Sequence, residues 1–273
     1  MFQDQIASDS RQFRQLARRQ SIAEAVMNEG SVRIEDLAER FGISLMTAHR
    51  DLDELVMRGI LRKTRGIASA ASTSLIESSD VYRSNKQARE KNALAMAAMQ
   101  YLEPGQAIFL DDSTTVLQMA QHLPSSAPLT VITNSLTLMG ELRGVRDLSL
   151  IGLGGQYFNW CNAFMGRMTT HEISQLRADT VFMSMSAITD DIVFHQSLEM
   201  VDTKRAMLDS AARKILLADH TKFGRRALYA LAPLTAFDVV IVDDKTPQAD
   251  IDRMRAKKIN VVIAPTHGSV RGA

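Results

Sequence analysis

Ser31-Val-Arg-Ile-Glu-Asp-Leu-Ala-Glu-Arg-Phe-Gly-Ile-Ser-Leu-Met-Thr-Ala-His-Arg-Asp-Leu-Asp-Glu-Leu-Val-Met-Arg-Gly-Ile-Leu-Arg-Lys63 holds two helical periods divided by one glycine. Ile34, Leu37, Ala38 and Phe41 recur at i, i+3, i+4 and i+7, which predicts a helix over Ile34–Phe41. Gly42 ends it, since glycine takes positive φ without a Cβ penalty. Ser44 then reads as the N-cap of a helix over Leu45–Arg58, with Leu52, Leu55 and Val56 on its buried face and Gly59 as its stop. A further helical period runs ahead of both, from about Phe13 to Asn28, ending at Gly30. Helix, short glycine turn and capped helix are the helix-turn-helix layout.

The start of the last helix is polar, as a helix that meets base edges and phosphates must be. Ser44, Thr47, His49, Arg50 and Asp51 stand there, and Ser44, Met46, Thr47, His49 and Arg50 are its candidate DNA contacts. Ile60-Leu-Arg-Lys-Thr-Arg-Gly-Ile67 reads as a two-stranded wing whose Arg62, Lys63 and Arg65 would touch phosphates. Between Arg11 and Arg65 there are eleven basic against eight acidic side chains, although the whole chain carries only +1. The competing reading of this segment is a small helical bundle with a solvated charged face.

Outward from this head, the stretch from Gly66 to about Asn85 is small, polar and serine-rich, and reads as a linker or an exposed extended segment. The expected division is a head at 13–68, a linker at 69–85 and an α/β domain at 86–265. In that last part short apolar runs alternate with helical periods. The strands expected are Ala107–Asp111, Leu129–Thr133, Leu148–Gly152, Thr180–Met185, Ile215–Asp219, Asp238–Val242 and Asn260–Ala264. The helices expected are Ala88–Leu102, Thr115–His122, Ser135–Arg143, Thr170–Arg177, Glu199–Ala212 and Ala249–Lys257. Continuous apolar strands between helices indicate a mostly parallel sheet covered on both faces. Residues 267–273 read as a frayed end.

Of 273 residues, 45% are hydrophobic and 23% charged, so a sizeable core is available. Cys161 is the one cysteine, which excludes an internal disulfide and a cysteine metal cluster and fits a reducing compartment. The first twenty residues lack the apolar core of a signal peptide, and no apolar run reaches the length of a membrane span. A cytoplasmic location, no membrane partner, no metal and no cofactor are therefore expected.

In a parallel sheet the carboxyl ends of the strands gather on one edge, where ligands bind. Asp111-Asp-Ser-Thr-Thr115 follows one such strand and opens the next helical period. Free amides at a helix start, joined by hydroxyls of Ser113, Thr114 and Thr115, would suit a phosphate, and Asp111 or Asp112 would accept from sugar hydroxyls. The plain alternative is an ordinary N-cap at a turn. Thr133-Asn134 follows the next strand, and Gly152-Leu-Gly154-Gly155 the one after, where small residues admit a ligand to the backbone. The glycine spacing is wrong for a dinucleotide fingerprint. Glu199 and Lys204 lie early in a later helix, where Lys204 would reach a phosphate or simply face solvent. Asp219 and Lys222 stand at a further strand end.

These motifs resemble the DeoR family of bacterial regulators, over about residues 14 to 264. The family's run of Ser, two residues, Thr, Ile, Arg, Arg, Asp, Leu matches at Ser44, Thr47, Arg50, Asp51 and Leu52 and departs at Ala48 and His49, so that His49 stands for an arginine. Arg65-Gly66-Ile67-Ala68 stands for a His-Gly-Gly-Ala wing. In the sensor domain, Asp111 to Thr115 corresponds to an Asp, any, Gly, Ser/Thr, Thr motif with Ser113 in place of glycine. Thr133-Asn134, Gly154-Gly155, Lys204 to Met207 and Asp219 through Gly224 match, while Ser184-Met-Ser-Ala-Ile188 replaces Gly-Ala-Asp-Gly-Ile. The resemblance implies a winged helix-turn-helix joined to an α/β domain similar in fold to ribose-5-phosphate isomerase and CoA-transferase-like proteins. It implies operator duplex and a small phosphorylated sugar or polyol as partners, a homo-dimer or tetramer, and repression of a carbohydrate or polyol operon.

The second class considered is a sugar-phosphate isomerase-like enzyme with a DNA-binding appendage, using Asp111, Glu199 and Lys204 as acid–base groups. No Ser/His/Asp or metal constellation supports it, so no enzymatic activity is expected. Phe158, Trp160, Cys161, Phe164 and Met165 form an aromatic and sulfur-rich patch, read first as a core cluster and otherwise as pocket lining or an oligomer contact.

Overall fold

The computed structural model describes residues 29–57, 61–70 and 86–266, with single positions at 15, 18, 19, 21–23, 25, 26 and 83. The expected ends of the first helix, the Arg58–Ile60 stop, most of the linker and the frayed end at 267–273 lie outside the described residues. The chain divides into two compact units, Met1–Arg83 and Ser84–Ala273.

In the first unit, β1 (Ser31–Arg33) leads into α1 (Ile34–Arg40) and α2 (Leu45–Met57), followed by β2 (Leu61–Thr64) and β3 (Ile67–Ala70). Gly42, at φ 60, places its N–H on Glu39 O at 3.1 Å and Ile43 N–H on Ala38 O at 3.0 Å. This paired bond closes α1 and turns the chain into α2. Ser44 Oγ accepts from Thr47 N–H at 3.2 Å, the N-cap read from the sequence. The strands form an antiparallel sheet in the order β1-β3-β2. Residues 69–70, expected to begin the linker, therefore complete a central strand that starts at Ile67 of the wing, and β1 was not foreseen, because three residues are too short for a pattern. The core joins Ile22 and Val26 to Leu37, Leu52, Leu55 and Leu61. Val56, expected inside, is 37% exposed, because Ala48, Leu52 and Leu55 define the buried stripe one residue-step away.

The second unit opens with α3 (Ala88–Ala98) and is built on β4 (Ala107–Leu110), β5 (Leu129–Thr133), α4 (Leu136–Leu142), β6 (Leu148–Gly152), β7 (Gln156–Phe158), β8 (Ala163–Met165), α5 (Arg167–Ser174) and β9 (Ala178–Met183). It continues through β10 (Ala187–Thr189), β11 (Ile192–His195), α6 (Leu198–Asp209), β12 (Ala211–Ala218), β13 (Tyr229–Pro233), β14 (Val239–Asp243), α7 (Gln248–Ala256) and β15 (Val261–Ala264). Seven strands form one parallel sheet, ordered β15-β14-β12-β9-β4-β5-β6. Alternate residues of one strand enter different cores: Phe109 belongs to the core that includes Ile173, Met207 and Met254, while Ile108 and Leu110 belong to the core that includes Leu94, Ala98 and Leu138. Both faces are covered by helices, which is why these strands are apolar throughout.

The helix expected over Thr115–His122 is a four-residue 3-10 turn, Val116–Met119. Its bonds step by three, from Gln118 to Thr115 and from Ala120 to Leu117, and Pro124 opens a second such turn. The β7–β8 hairpin and an antiparallel sheet β10-β11-β13 were also not foreseen. The hairpin carries the aromatic and sulfur patch, where Cys161, Ala163 and Met165 are buried against Met200 with Phe158 and Trp160 beside them.

A charged cluster at the switch point and a polar helix face

The chain runs outward from β4 through β5 to β6, then returns to the other side of β4 as β9 and proceeds through β12 to β15. The strand order therefore reverses between β4 and β9, and the carboxyl ends there form the crevice in which such sheets take ligands. Asp111 leaves β4 at this point, and its N–H bonds Phe182 O of β9 at 3.3 Å. Its Oδ1 accepts from Ser113 N–H at 2.9 Å and its Oδ2 from Ser184 N–H at 2.9 Å and from the Lys204 ammonium. Lys204 Nζ also lies 3.4 Å from Asp112 Oδ1. All of these side chains are buried.

Lys204 is in the apolar stripe of α6, with Met200, Val201, Met207 and Leu208. Ser197 caps that helix by accepting from Met200 N–H. From the opposite face of the sheet, Lys91 lies in the buried stripe of α3 with Leu94 and Ala95, and donates to Thr114 Oγ1 at 3.0 Å. The sequence reading missed Lys91. The available signal was a lysine at a position that the period of α3 assigns to the core. One lysine therefore approaches the strand ends from each helical layer.

Asp219, after β12, is buried and belongs to the same edge. Burial alone would raise its pKa. The Lys222 charge, hydrogen bonds from Thr221 and the field of Lys91 outweigh it and hold the carboxyl below its ordinary value. Glu90 of α3 is lowered chiefly by the hydrogen bond from Lys245. His220 Nδ1 lies 3.1 Å from Asp243 Oδ1.

Other expected contacts are placed differently. The amides of Ser113, Val116 and Leu117 are taken within the turn after β4, and the four-residue 3-10 turn that follows has no α-helical dipole. The α-helical start expected at Thr115 is thus a 3-10 turn, and the amides of Thr114 and Thr115 take no acceptor among the described residues. What these residues offer is hydroxyls, with Thr115 2% exposed. Thr133 Oγ1 accepts from Ser135 N–H at 3.1 Å, shaping the start of α4. Asn134, level with the end of β4 through the Leu110–Thr133 pairing, donates from Nδ2 to Phe164 O at 3.0 Å. Gly155 is required by packing: at φ 144 an added Cβ would overlap Thr169 Oγ1, which itself donates to Gly154 O at 2.7 Å. Glu199 does not join the cluster. It is exposed in a groove with Arg167, Asp202 and Arg205, and five residues before Lys204 places it about 140° round the helix.

On the head, Met46 (67% exposed) and Arg50 face outward together, one turn apart. Lys63 on the wing reaches His49 Nδ1 at 3.2 Å and Asp53, so wing and helix are tied by side chains. Arg62 and Arg65 are exposed. Asp51 points the other way: it is 1% exposed and accepts from Arg18 Nε at 2.7 Å and Arg19 Nε at 2.8 Å. It fastens α2 to Arg18 and Arg19 near the start of the head, and presents nothing to a duplex.

A winged helix-turn-helix with an outward cationic face, in one chain with a doubly wound α/β unit carrying a buried charged cluster, defines a ligand-responsive DNA-binding regulator. Residues 18–74 match the DeoR-like helix-turn-helix domain and residues 86–244 the DeoR C terminal sensor domain. The chain belongs to the DeoR family of transcriptional regulators. It is 30% identical over 235 residues to the glycerol-3-phosphate regulon repressor of Escherichia coli, covering 86% of this chain and 93% of that one. It is 32% identical over 228 residues to the lactose phosphotransferase system repressor of Staphylococcus epidermidis, covering 82% and 90%. The HTH-type regulator YgbI of Escherichia coli is 29% identical over 90% of this chain and 97% of its own. Among solved structures, a ribose-5-phosphate isomerase with phospho-erythronic acid aligns at TM-score 0.37 and 13% identity over 49% of this chain and 52% of that one. The Pyrococcus horikoshii initiation factor eIF-2B aligns at 0.41 and 15% identity over 82% and 87%.

Proposed function

We propose that this regulator is a repressor that holds an operator through α2 and the wing, and releases it when a small phosphorylated sugar or polyol binds at the switch point of the α/β unit. The observation that carries this is the buried group of Asp111, Asp112, Lys204, Lys91, Thr114 and Asp219. A domain core has no use for six such polar groups at one strand edge, since burying charge is costly unless it serves a site. Lys91 with the Thr114 and Thr115 hydroxyls forms the end suited to a phosphate. The carboxylates form the end suited to hydroxyls. Relatives named as repressors of glycerol-3-phosphate and lactose phosphotransferase systems support the same chemistry.

On the head, Arg50 and Met46 are placed for base edges, with Arg62, Lys63 and Arg65 for phosphates. Two heads are needed for paired half-sites, so the working form is a homo-oligomer in the cytoplasm. Effector control requires different affinity for two states of the sensor, and the change in operator affinity cannot exceed that difference. An isomerase-like reaction is disfavoured, because Asp111 is saturated by two amides and an ammonium and Glu199 lies elsewhere. The test is fluorescence anisotropy of the full chain on duplexes selected from a random library, titrated with sugar and polyol phosphates. Release at micromolar to millimolar phosphate supports the reading. Operator binding that no such compound alters defeats it.

A further inference from the structure

Asp112 is one residue beyond the group that organises the cluster, and its situation differs from that of Asp111. Its side chain is 1% exposed, and neither carboxylate oxygen accepts a hydrogen bond among the described residues. The Lys204 ammonium is an ion-pair partner 3.4 Å from Oδ1, and it hydrogen-bonds Asp111 Oδ2. Asn134 is 0% exposed, and its Oδ1 has no donor either. Its orientation is fixed, because Nδ2 must donate to the Phe164 carbonyl. Asp112 and Asn134 leave β4 and β5 one residue apart in register, on strands about 4.8 Å from each other. Three buried acceptor atoms at the ends of these neighbouring strands thus take no hydrogen bond among the described residues, whereas buried acceptors are otherwise almost always satisfied.

We propose that Asp112 is the specificity-determining residue for the effector, its two oxygens accepting from two hydroxyls on adjacent carbons, with Asn134 Oδ1 taking a further hydroxyl. This rests on the sensing function proposed above and names the part of the ligand that the corner reads. A cation is the other partner a carboxylate takes, but it would have to settle beside the Lys204 ammonium. Neutral hydroxyls donate without that repulsion. A single hydroxyl engages one oxygen and leaves the other bare, whereas a vicinal diol engages both. Such a site rejects analogues lacking a hydroxyl far more sharply than an apolar pocket rejects a missing methylene, since the protein acceptor is then stranded.

The experiment is calorimetry on the full chain with three- to six-carbon sugar and polyol phosphates. It is repeated for each one that binds with its monodeoxy counterpart at every hydroxylated carbon, on the wild type and on Asp112→Asn. For at least one binder, deoxygenation at either of two adjacent carbons should weaken binding about tenfold or more, and Asp112→Asn should erase that discrimination. The wild-type comparison decides even if the variant does not fold. Binding that tolerates deoxygenation everywhere, or discrimination that survives in Asp112→Asn, overturns the assignment while leaving the sensing function intact. Amino-sugar phosphates binding tighter than their hydroxyl parents overturn it in favour of a cation subsite. Absence of binding by every phosphate removes the sensing function and this inference together.

Discussion

Replacing Lys204 with methionine tests whether the charged cluster is an energetic unit. The methionine fills nearly the same volume, so the perturbation is the loss of one ammonium with little cavity. Asp111 keeps the amides of Ser113 and Ser184, but Asp112 loses its nearest cation and has no hydrogen bond to fall back on. Removing one partner of a buried pair costs about 3–5 kcal/mol. For a unit of this size each kcal/mol lowers the melting point by about 2–4 °C, so a fall of roughly 6–20 °C is expected. Asp111→Asn combined with Lys204→Met removes a charge of each sign and should recover at least half the deficit. Melting followed by circular dichroism, with urea titrations at 25 °C, provides the measurement. A drop under about 1 kcal/mol, or a double variant no better than the single one, would refute the idea that Lys204 holds these carboxylates.

Arg50→Ala should weaken operator binding by about ten- to a hundredfold while leaving the sensor's melting point unchanged, read by anisotropy and calorimetry. Asp51→Asn should destabilise the first unit by about 2 kcal/mol, discounted because Arg18 and Arg19 are partly exposed, with separate unfolding of the two units as the readout. Gly155→Ala should cost about 1–3 kcal/mol, with partial recovery in the Gly155→Ala, Thr169→Ala pair, because the clash is with the Thr169 side chain and the carbonyl clash with Met165 persists. Asp191 is lowered below its ordinary 3.8: burial opposes the shift, and hydrogen bonds from Lys257 and Arg253 outweigh it. Its contribution is therefore complete above pH 3.8 and is lost as the pH falls through its lower folded value, so Asp191→Asn should flatten the acid limb of the stability curve.

Periodicity alone determined most of the architecture. The glycine and serine between α1 and α2 fixed the turn and the cap, and the uninterrupted apolar runs fixed the parallel sheet, because both signals act within a few residues of the chain. Asp111, Lys204 and Asp219 were legible as strand-end or early-helix polar residues. Whether they met was not, since Asp111 and Lys204 are brought together only by the return of the chain to the far side of β4. Tertiary structure also set Asp51 against Arg18 and Arg19 and Gly155 against Thr169, and left Glu199 exposed and apart from the cluster. It added Lys91, whose partner Thr114 lies on a different element. Local pattern states which faces are apolar; which charges share a buried corner depends on strand order, and strand order is settled by packing between segments far apart in sequence.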